Sequence, residues 1–133
     1  LFSNGGYRVN SLIEIDFASG YPRTRTVVPE WVSHFSSSPG GNRILYLISF
    51  PDQILRIAKN EGWRWTASEV EKFSNQFLIT SIGWSPEENH IVIALYNQKA
   101  DFTDLVTYTL PQFKKRFITR LNGTWVSDIV WTR

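Results

Sequence analysis

The stretch Ile82-Gly83-Trp84-Ser85-Pro86 recurs in related form once before and once after, at a constant distance. The earlier copy is Phe35-Ser36-Ser37-Ser38-Pro39 and the later copy is Ile129-Val130-Trp131-Thr132-Arg133, and each lies 47 residues from the next. Apolar runs follow the first two copies at the same spacing, over residues 44–48 and 91–95. A constant period of about 20–50 residues indicates a repeat protein, in which each repeat forms one small structural unit.

Each repeat is predicted to contain four short strands joined by polar turns. The middle repeat predicts strands at residues 80–84, 91–96, 105–110 and 116–119, and the preceding repeat at 35–37, 44–49, 54–58 and near 64–66. Pro86 and Pro111 fall in the turns, since proline has no N–H for a strand ladder. Residues 68–73 begin with a serine and have helical composition, which predicts one helical turn in the link between the repeats.

The two ends of the sequence lie within a repeat. Residues 12–16 and 23–28 match the third and fourth strands of an earlier unit, and residues 126–131 match a first strand. The predicted boundaries are therefore the end of one unit at 1–31, complete units at 32–78 and 79–125, and the first strand of the next at 126–133.

Sheets of four strands with two apolar faces can pack around an axis as a propeller or stack as a solenoid. Four strands in about 47 residues match a propeller blade. The sequence thus predicts an all-β fold of β-propeller blades, each a four-stranded antiparallel meander, with about 2.8 blades present. Because known rings use about four to eight blades, the remaining blades are expected from a longer parent chain, which is slightly favoured, or from a second copy.

Composition limits the functional classes. The chain is 42% hydrophobic and 15% aromatic, with a net charge of +2 and no cysteine. The single basic cluster, residues 114–116, has no wider basic stripe around it, so nucleic acid is not predicted as a partner. No apolar run reaches the length of a membrane span. His34 and His90 occupy different structural positions, and no metal or cofactor is predicted.

The residues of the middle repeat resemble a known family. Trp84-Ser85-Pro86-Glu87-Glu88-Asn89-His90-Ile91-Val92-Ile93-Ala94 is similar to the W-S-P-D-G-x-x-I-A-F core of the TolB-type propeller repeat. Residues 105–108 and 116–119 resemble the continuation of that repeat, while 38–46 and 12–16 are weaker copies. Glu87-Glu88 stands where the family pattern has Asp-Gly.

The resemblance implies a binding role. TolB is a periplasmic scaffold, and similar blades occur in the propellers of prolyl-oligopeptidase and dipeptidyl-peptidase-type serine peptidases. The sequence lacks the G-x-S-x-G, H-E-x-x-H and phosphate-loop motifs. We therefore expect a non-catalytic module for protein binding or scaffolding, with a protein or peptide ligand. The alternatives are the substrate-gating propeller of such a peptidase and a half-propeller that forms a dimeric ring of about six blades. A periplasmic or extracellular location is favoured by the resemblance alone.

The candidate binding residues are expected around the central channel of the ring. His34, Ser81 and Asp128 occupy the same repeat position, early in successive first strands, and three different polar residues there suggest exposure to the channel or to one mouth of the ring. The alternative is that they bond the backbone of a neighbouring blade. Trp31 and Trp125 precede first strands and are predicted at the same mouth. The loop 97–104 with Asp101 and Asp104 completes this surface, although two carboxylates fall short of a calcium site.

Overall fold

The computed structural model describes residues 11–28, 31–49 and 52–132, and within these ranges the protein is all-β, without helices. There are ten strands: β1 (Leu12–Asp16), β2 (Arg23–Val28), β3 (His34–Ser37), β4 (Arg43–Ile48), β5 (Gln53–Asn60), β6 (Trp65–Phe73), β7 (Phe77–Trp84), β8 (His90–Asn97), β9 (Phe102–Thr109) and β10 (Lys114–Asn122). The ten strands predicted from residues 12 to 119 are therefore confirmed. A helix able to cross a membrane is absent from these ranges as well.

The strands form three antiparallel sheets. Sheet I contains β1 and β2, sheet II contains β3 to β6 in chain order, and sheet III contains β7 to β10 in chain order. Each strand of sheets II and III thus pairs with its sequence neighbour, which confirms the predicted four-stranded meanders. The two sheets contain the two repeats, since the equivalent strands β4 and β8 begin 47 residues apart at Arg43 and His90.

Sheet II is covered on both faces because its central strands alternate between two apolar clusters. Leu45 and Leu47 of β4 pack in one cluster with Ile91 and Ile93 of sheet III. Tyr46, between the two leucines, packs in the other cluster with residues 27–28 of sheet I. A strand buried on both faces shows little polar alternation, as the run 44–48 does.

The sheets meet with equivalent strands adjacent. The first strands β3 and β7 contact each other, as do the last strands β2 and β6. The described residues do not form a closed ring, so the β-propeller and its number of blades stay predictions.

The helical turn predicted at residues 68–73 is wrong. These residues belong to β6, which pairs with β5 over its whole length and ends at the buried side chain of Phe73. An isolated helix of six residues is unstable in water, because the first turn fixes several dihedral angles for a single hydrogen bond. The strand instead gains a ladder of hydrogen bonds and places Val70 and Phe73 against the core.

The predicted first strand at 126–131 is also not formed, since residues 124–132 have no regular secondary structure. A strand requires a hydrogen-bonded neighbour, and none of the described strands pairs with this segment. The segment, which we call the C-terminal segment, nevertheless lies on the face of sheet III that points away from sheet II. Its residues 129–132 line one cavity with Val92, Leu105 and Ile118 of that face.

The direction of the C-terminal segment follows from its two ends. The ring of Trp125 lies 5.0 Å from the ring of Tyr96 at the end of β8, and Trp131 lies 6.2 Å from His90 at its beginning. The segment therefore runs antiparallel to β8, and so in the same direction as β7. The buried Thr103 hydroxyl donates a hydrogen bond to the Thr124 carbonyl and anchors the segment where it begins.

The contacts of this segment repeat those between sheets II and III. At the earlier interface, Trp84 Nε1 donates to the carbonyl of Ser36 (2.8 Å), and the guanidinium carbon of Arg43 lies 4.9 Å from the Trp84 ring. Shifted by 47 residues, Trp84 becomes Trp131 and Arg43 becomes His90. The ring contact is kept, whereas Trp131 Nε1 is buried and has no hydrogen-bond partner among the described residues.

Candidate functional site

Two of the residues predicted at the channel mouth line one cavity. His34 and Trp125 surround a volume of about 380 Å³ together with Leu78, Thr80 and Gln53. We call this cavity the Trp125 pocket; Ser49 and Ile79 complete its lining. Its size falls within the range of about 300–1,000 Å³ that is usual for ligand sites.

The meander topology explains why these residues converge. In an antiparallel meander, the starts of the odd-numbered strands and the ends of the even-numbered strands lie at the same end of the sheet. His34 at the start of β3, Gln53 at the start of β5 and residues 78–80 near the start of β7 therefore lie at one end of sheets II and III. Gln53 is buried, and its Oε1 accepts the N–H of Ile79 (3.3 Å), which joins sheets II and III at this end. The Gln53 side-chain NH2 forms no hydrogen bond within the residues that the structure describes.

Hydrogen bonds around Ser33 define the polar side of the pocket. Ser33 Oγ donates to the carbonyl of Leu47 (3.1 Å) and lies 2.5 Å from Ser49 Oγ. When the Ser33 hydroxyl donates to Leu47, its one proton is used and Ser49 is the donor in that second bond. His34 Nδ1 lies 3.4 Å from the same Ser33 oxygen and donates to it when the ring is protonated at Nδ1. In a neutral ring this leaves Nε2 as the acceptor for a ligand.

Trp125 is held between the pocket and the β8–β9 loop. Its ring packs against Tyr96, whose hydroxyl donates to Asp101 Oδ1 (2.9 Å). This hydrogen bond raises the pKa of Tyr96, and desolvation and the charge of Asp101 act in the same direction. The N–H of Gly123, the residue before the C-terminal segment, donates to the Asp101 carbonyl (2.8 Å) and holds the start of the segment beside the loop. Trp125 is nevertheless 57% exposed, so much of its ring is accessible.

The other predicted residues are not all brought together. Ser81 is buried in β7. Asp128, its repeat equivalent, is exposed, accepts the N–H of Ile129 at Oδ1 (2.9 Å), and lines a different cavity beside Gly83. Trp31 is exposed in the link before β3. His34, Ser81 and Asp128 thus do not share one cavity.

The two carboxylates predicted at this surface, Asp101 and Asp104, accept hydrogen bonds from different residues. Asp101 accepts from Tyr96, whereas Asp104 lies on β9 and accepts two hydrogen bonds from the Arg120 guanidinium (2.8 and 3.1 Å). The bond to Asp104 raises the pKa of Arg120, and the charge of Asp104 adds to this against an opposing desolvation. Within the described ranges, no group of three or more potential metal ligands occurs.

Sequence reasoning missed five residues of the pocket: Ser49, Gln53, Leu78, Ile79 and Thr80. A signal for Leu78 exists, because it lies 47 residues after Trp31 and 47 before Trp125. The three are repeat equivalents, and an apolar residue stands at each position. Gln53 has no such signal, since its role depends on the approach of β7 to β5.

The arrangement is suited to binding. The pocket combines an apolar lining with a ring nitrogen and a side-chain amide, a composition typical of sites that recognise a side chain and the adjacent backbone. The Ser33 hydroxyl beside His34 is used in structural hydrogen bonds. No protein-family model, curated protein or solved structure matches the chain.

Proposed function

We propose that the chain is part of a TolB-like β-propeller that acts as a non-catalytic protein-binding or scaffolding module. The Trp125 pocket is its recognition site. The observation on which the proposal rests is the shared cavity of His34 and Trp125, formed between the first strands of sheet II and sheet III. Channel mouths are where propellers of many functions bind their ligands, since the loops of all blades meet there.

The packing of the sheets supports the propeller part of the proposal. Sheets II and III contact each other through their first strands, β3 and β7, and sheets I and II through their last strands, β2 and β6. Equivalent strands also face each other in neighbouring propeller blades. The C-terminal segment supports it further, because its Trp131 contacts His90 as Trp84 contacts Arg43. Residues 126–132 thus lie where the first strand of a following blade would pack.

The ligand is expected to be a peptide segment with an apolar or aromatic side chain. Trp125 and Leu78 would contact that side chain. His34 Nε2 would accept a backbone N–H, and the Gln53 amide would donate to a backbone carbonyl. A peptide offers both groups next to each apolar side chain, and aromatic residues commonly dominate the binding energy at such interfaces.

A peptide selection tests this proposal. Random peptides displayed on phage would be selected on the wild-type chain and then measured individually on Trp125→Ala, His34→Ala and Trp63→Ala. Trp63 is the matched control because it is 74% exposed and stacks on Arg64 in the β5–β6 turn, at the other end of sheet II. We expect selected peptides to lose at least about tenfold in affinity with Trp125→Ala and nothing with Trp63→Ala. Equal binding to both variants, or a failure to select any peptide, would contradict the assignment.

A second candidate function, assembly into a ring from two copies, is favoured by the exposed apolar side chains at both ends of the stack. Ile13 and Ile15 of sheet I are 54% and 55% exposed, and Val130 of the C-terminal segment is 80% exposed. Soluble monomers rarely leave large apolar faces open. Light scattering decides the matter: a mass near twice 15.4 kDa supports the ring, and a folded monomer excludes it. The peptidase-gating alternative and the periplasmic or extracellular location stay predictions.

A further inference from the structure

A second groove lies at the other end of the strands of sheets II and III from the Trp125 pocket. It has a volume of about 450 Å³ and is formed between the β5–β6 hairpin of sheet II and the β9–β10 turn of sheet III. β5 runs from Gln53 in the Trp125 pocket to Lys59 in this groove. We call it the Lys59 groove. The two cavities are therefore separated by the length of a strand.

The apolar side of the groove is held in a fixed shape. Ile57 contributes from β5, and Leu110 and Phe113 contribute from the β9–β10 turn. Leu110 and Phe113 also pack against the core between sheets II and III. The N–H of Leu110 donates to the carbonyl of Asn89 (2.9 Å), which fixes the start of the turn. A preformed apolar wall lowers the ordering cost of binding an apolar ligand.

The polar side of the groove is cationic. Arg43 is positioned by its stacking on Trp84 and by a hydrogen bond from Nη2 to the carbonyl of Glu88 (2.9 Å). The Glu88 carboxylate lies 3.9 Å from the same guanidinium and largely balances its charge. Lys59 is exposed and forms no ion pair within the described part of the chain. A net positive charge is therefore left at Lys59.

Among the residues that the structure describes, the lining of the groove contains no carboxylate. Glu88 contacts Arg43, and Glu61 accepts a hydrogen bond from the Thr66 hydroxyl (3.2 Å) at the border of the groove. Ser68 belongs to the same lining as Lys59, and its hydroxyl can act as a neutral donor. An ammonium and a hydroxyl beside an apolar wall complement a carboxylate attached to an apolar body.

We propose that the Lys59 groove binds such a carboxylate, with Lys59 as the anion-binding residue and with Ile57, Leu110 and Phe113 in contact with the apolar part. The carboxylate can belong to a small free acid or to the carboxyl end of a peptide chain. This site is independent of the Trp125 pocket, and neither needs the other to be occupied.

The test compares acids with their neutral amides. Phenylbutyrate and phenylbutyramide represent the small acid, and acetyl-Leu-Phe with a free or an amidated carboxyl end represents the peptide. Each is titrated into the wild-type chain, Lys59→Gln and the matched control Lys99→Gln, whose lysine is exposed on the β8–β9 loop at the other end of sheet III. Binding is followed by amide-resolved NMR, which also shows that each variant is folded.

We expect at least one acid to bind wild type and Lys99→Gln about tenfold more tightly than its amide, as is usual for a charge-assisted hydrogen bond. The preference should disappear in Lys59→Gln, and the shifted amides should include Ser68 and Phe113. A preference for the small acid alone identifies free acids as the source, and one for the peptide acid alone identifies a chain terminus. Equal binding of acid and amide to wild type, a preference that survives in Lys59→Gln, or shifts confined to the Trp125 pocket would overturn the proposal.

Discussion

Replacing Trp84 by phenylalanine tests whether the repeated tryptophan joins neighbouring sheets. Trp84 is 7% exposed, packs in the core between sheets II and III, and donates from Nε1 to the Ser36 carbonyl at 2.8 Å. Loss of that hydrogen bond costs about 1 kcal/mol. Loss of the second ring leaves space in a buried site, which costs about another 1 kcal/mol. The weaker interaction of Arg43 with a smaller ring adds about 0.5 kcal/mol.

We therefore expect Trp84→Phe to lower the free energy of unfolding by about 2–3 kcal/mol. Trp131→Phe is the matched comparison, because it makes the same change at the equivalent position of the next repeat. Trp131 is half-buried, and within the described part of the chain its Nε1 has no hydrogen-bond partner. Removal of an unsatisfied donor is close to neutral or stabilising, so this variant should lose less than about 1 kcal/mol.

The measurement is urea unfolding followed by far-ultraviolet circular dichroism, with tryptophan fluorescence as a second probe of two-state behaviour. Trp63→Phe, at an exposed turn, should leave the transition unchanged. If Trp84→Phe and Trp131→Phe destabilise the protein equally, or if Trp84→Phe costs less than about 1 kcal/mol, the hydrogen bond to sheet II is not a stabilising link and the reasoning fails.

Three further predictions concern the turns and the sheet contacts. Gly41 and Glu88 are repeat equivalents with positive φ (77° and 61°), so Gly41→Ala should cost about 1 kcal/mol or more and Glu88→Gly should be neutral or stabilising in the same urea assay. Tyr108→Phe removes the hydrogen bond from the buried hydroxyl to Glu71 (2.5 Å) and should cost about 1–2 kcal/mol at neutral pH. Burial, followed by the hydrogen bond and charge of Glu71, raises the pKa of Tyr108 above its ordinary value of 10.0. Its contribution is therefore fully present below pH 10.0 and decreases as the unfolded chain ionises at higher pH, so the wild-type and Tyr108→Phe stability curves should converge above pH 10.0; a constant difference would refute this. Arg25 donates from Nη1 to the carbonyl at residue 62 (2.8 Å), so Arg25→Ala should speed amide exchange in sheet I and leave sheet III unchanged, whereas equal acceleration in both sheets would contradict a local role.

The strands could be predicted because their signals are local. The bounds predicted for 12–16 and 23–28 agree with β1 and β2, since each run contains β-branched residues and Gly20 and Pro22 mark the turn between them. The apolar run 91–95 identified β8 in the same way. The repeat added independent support, because one unit predicted the elements of the next.

The two errors arose where neighbours override local preference. Residues 68–73 have helical composition, yet β5 offers a hydrogen-bonding edge along the whole segment, and the strand buries Phe73. Residues 126–131 have the composition of a strand but lack a paired neighbour among the described residues. The propensities of single residues contain no information about whether a neighbouring strand is present to pair with a segment.

The candidate site was predicted only in part for the same reason. The 47-residue spacing suggested that His34, Ser81 and Asp128 are equivalent, but equivalence in a repeat means the same place in successive sheets and not one shared cavity. His34 and Trp125 meet because the C-terminal segment returns along sheet III and places Trp125 beside Tyr96.

The sequence by itself determined the all-β class, the positions of ten strands and the meander order, because turn residues, apolar runs and a constant spacing act over a few residues at a time. Only the tertiary structure decided which face of each sheet is covered, how Gln53 reaches β7, and that Lys59 and the β9–β10 turn enclose a groove. These features depend on the packing of side chains from sheets that are distant in sequence. The alternation of side chains along a strand defines its two faces, but the sheet that packs against each face decides which residues cover it.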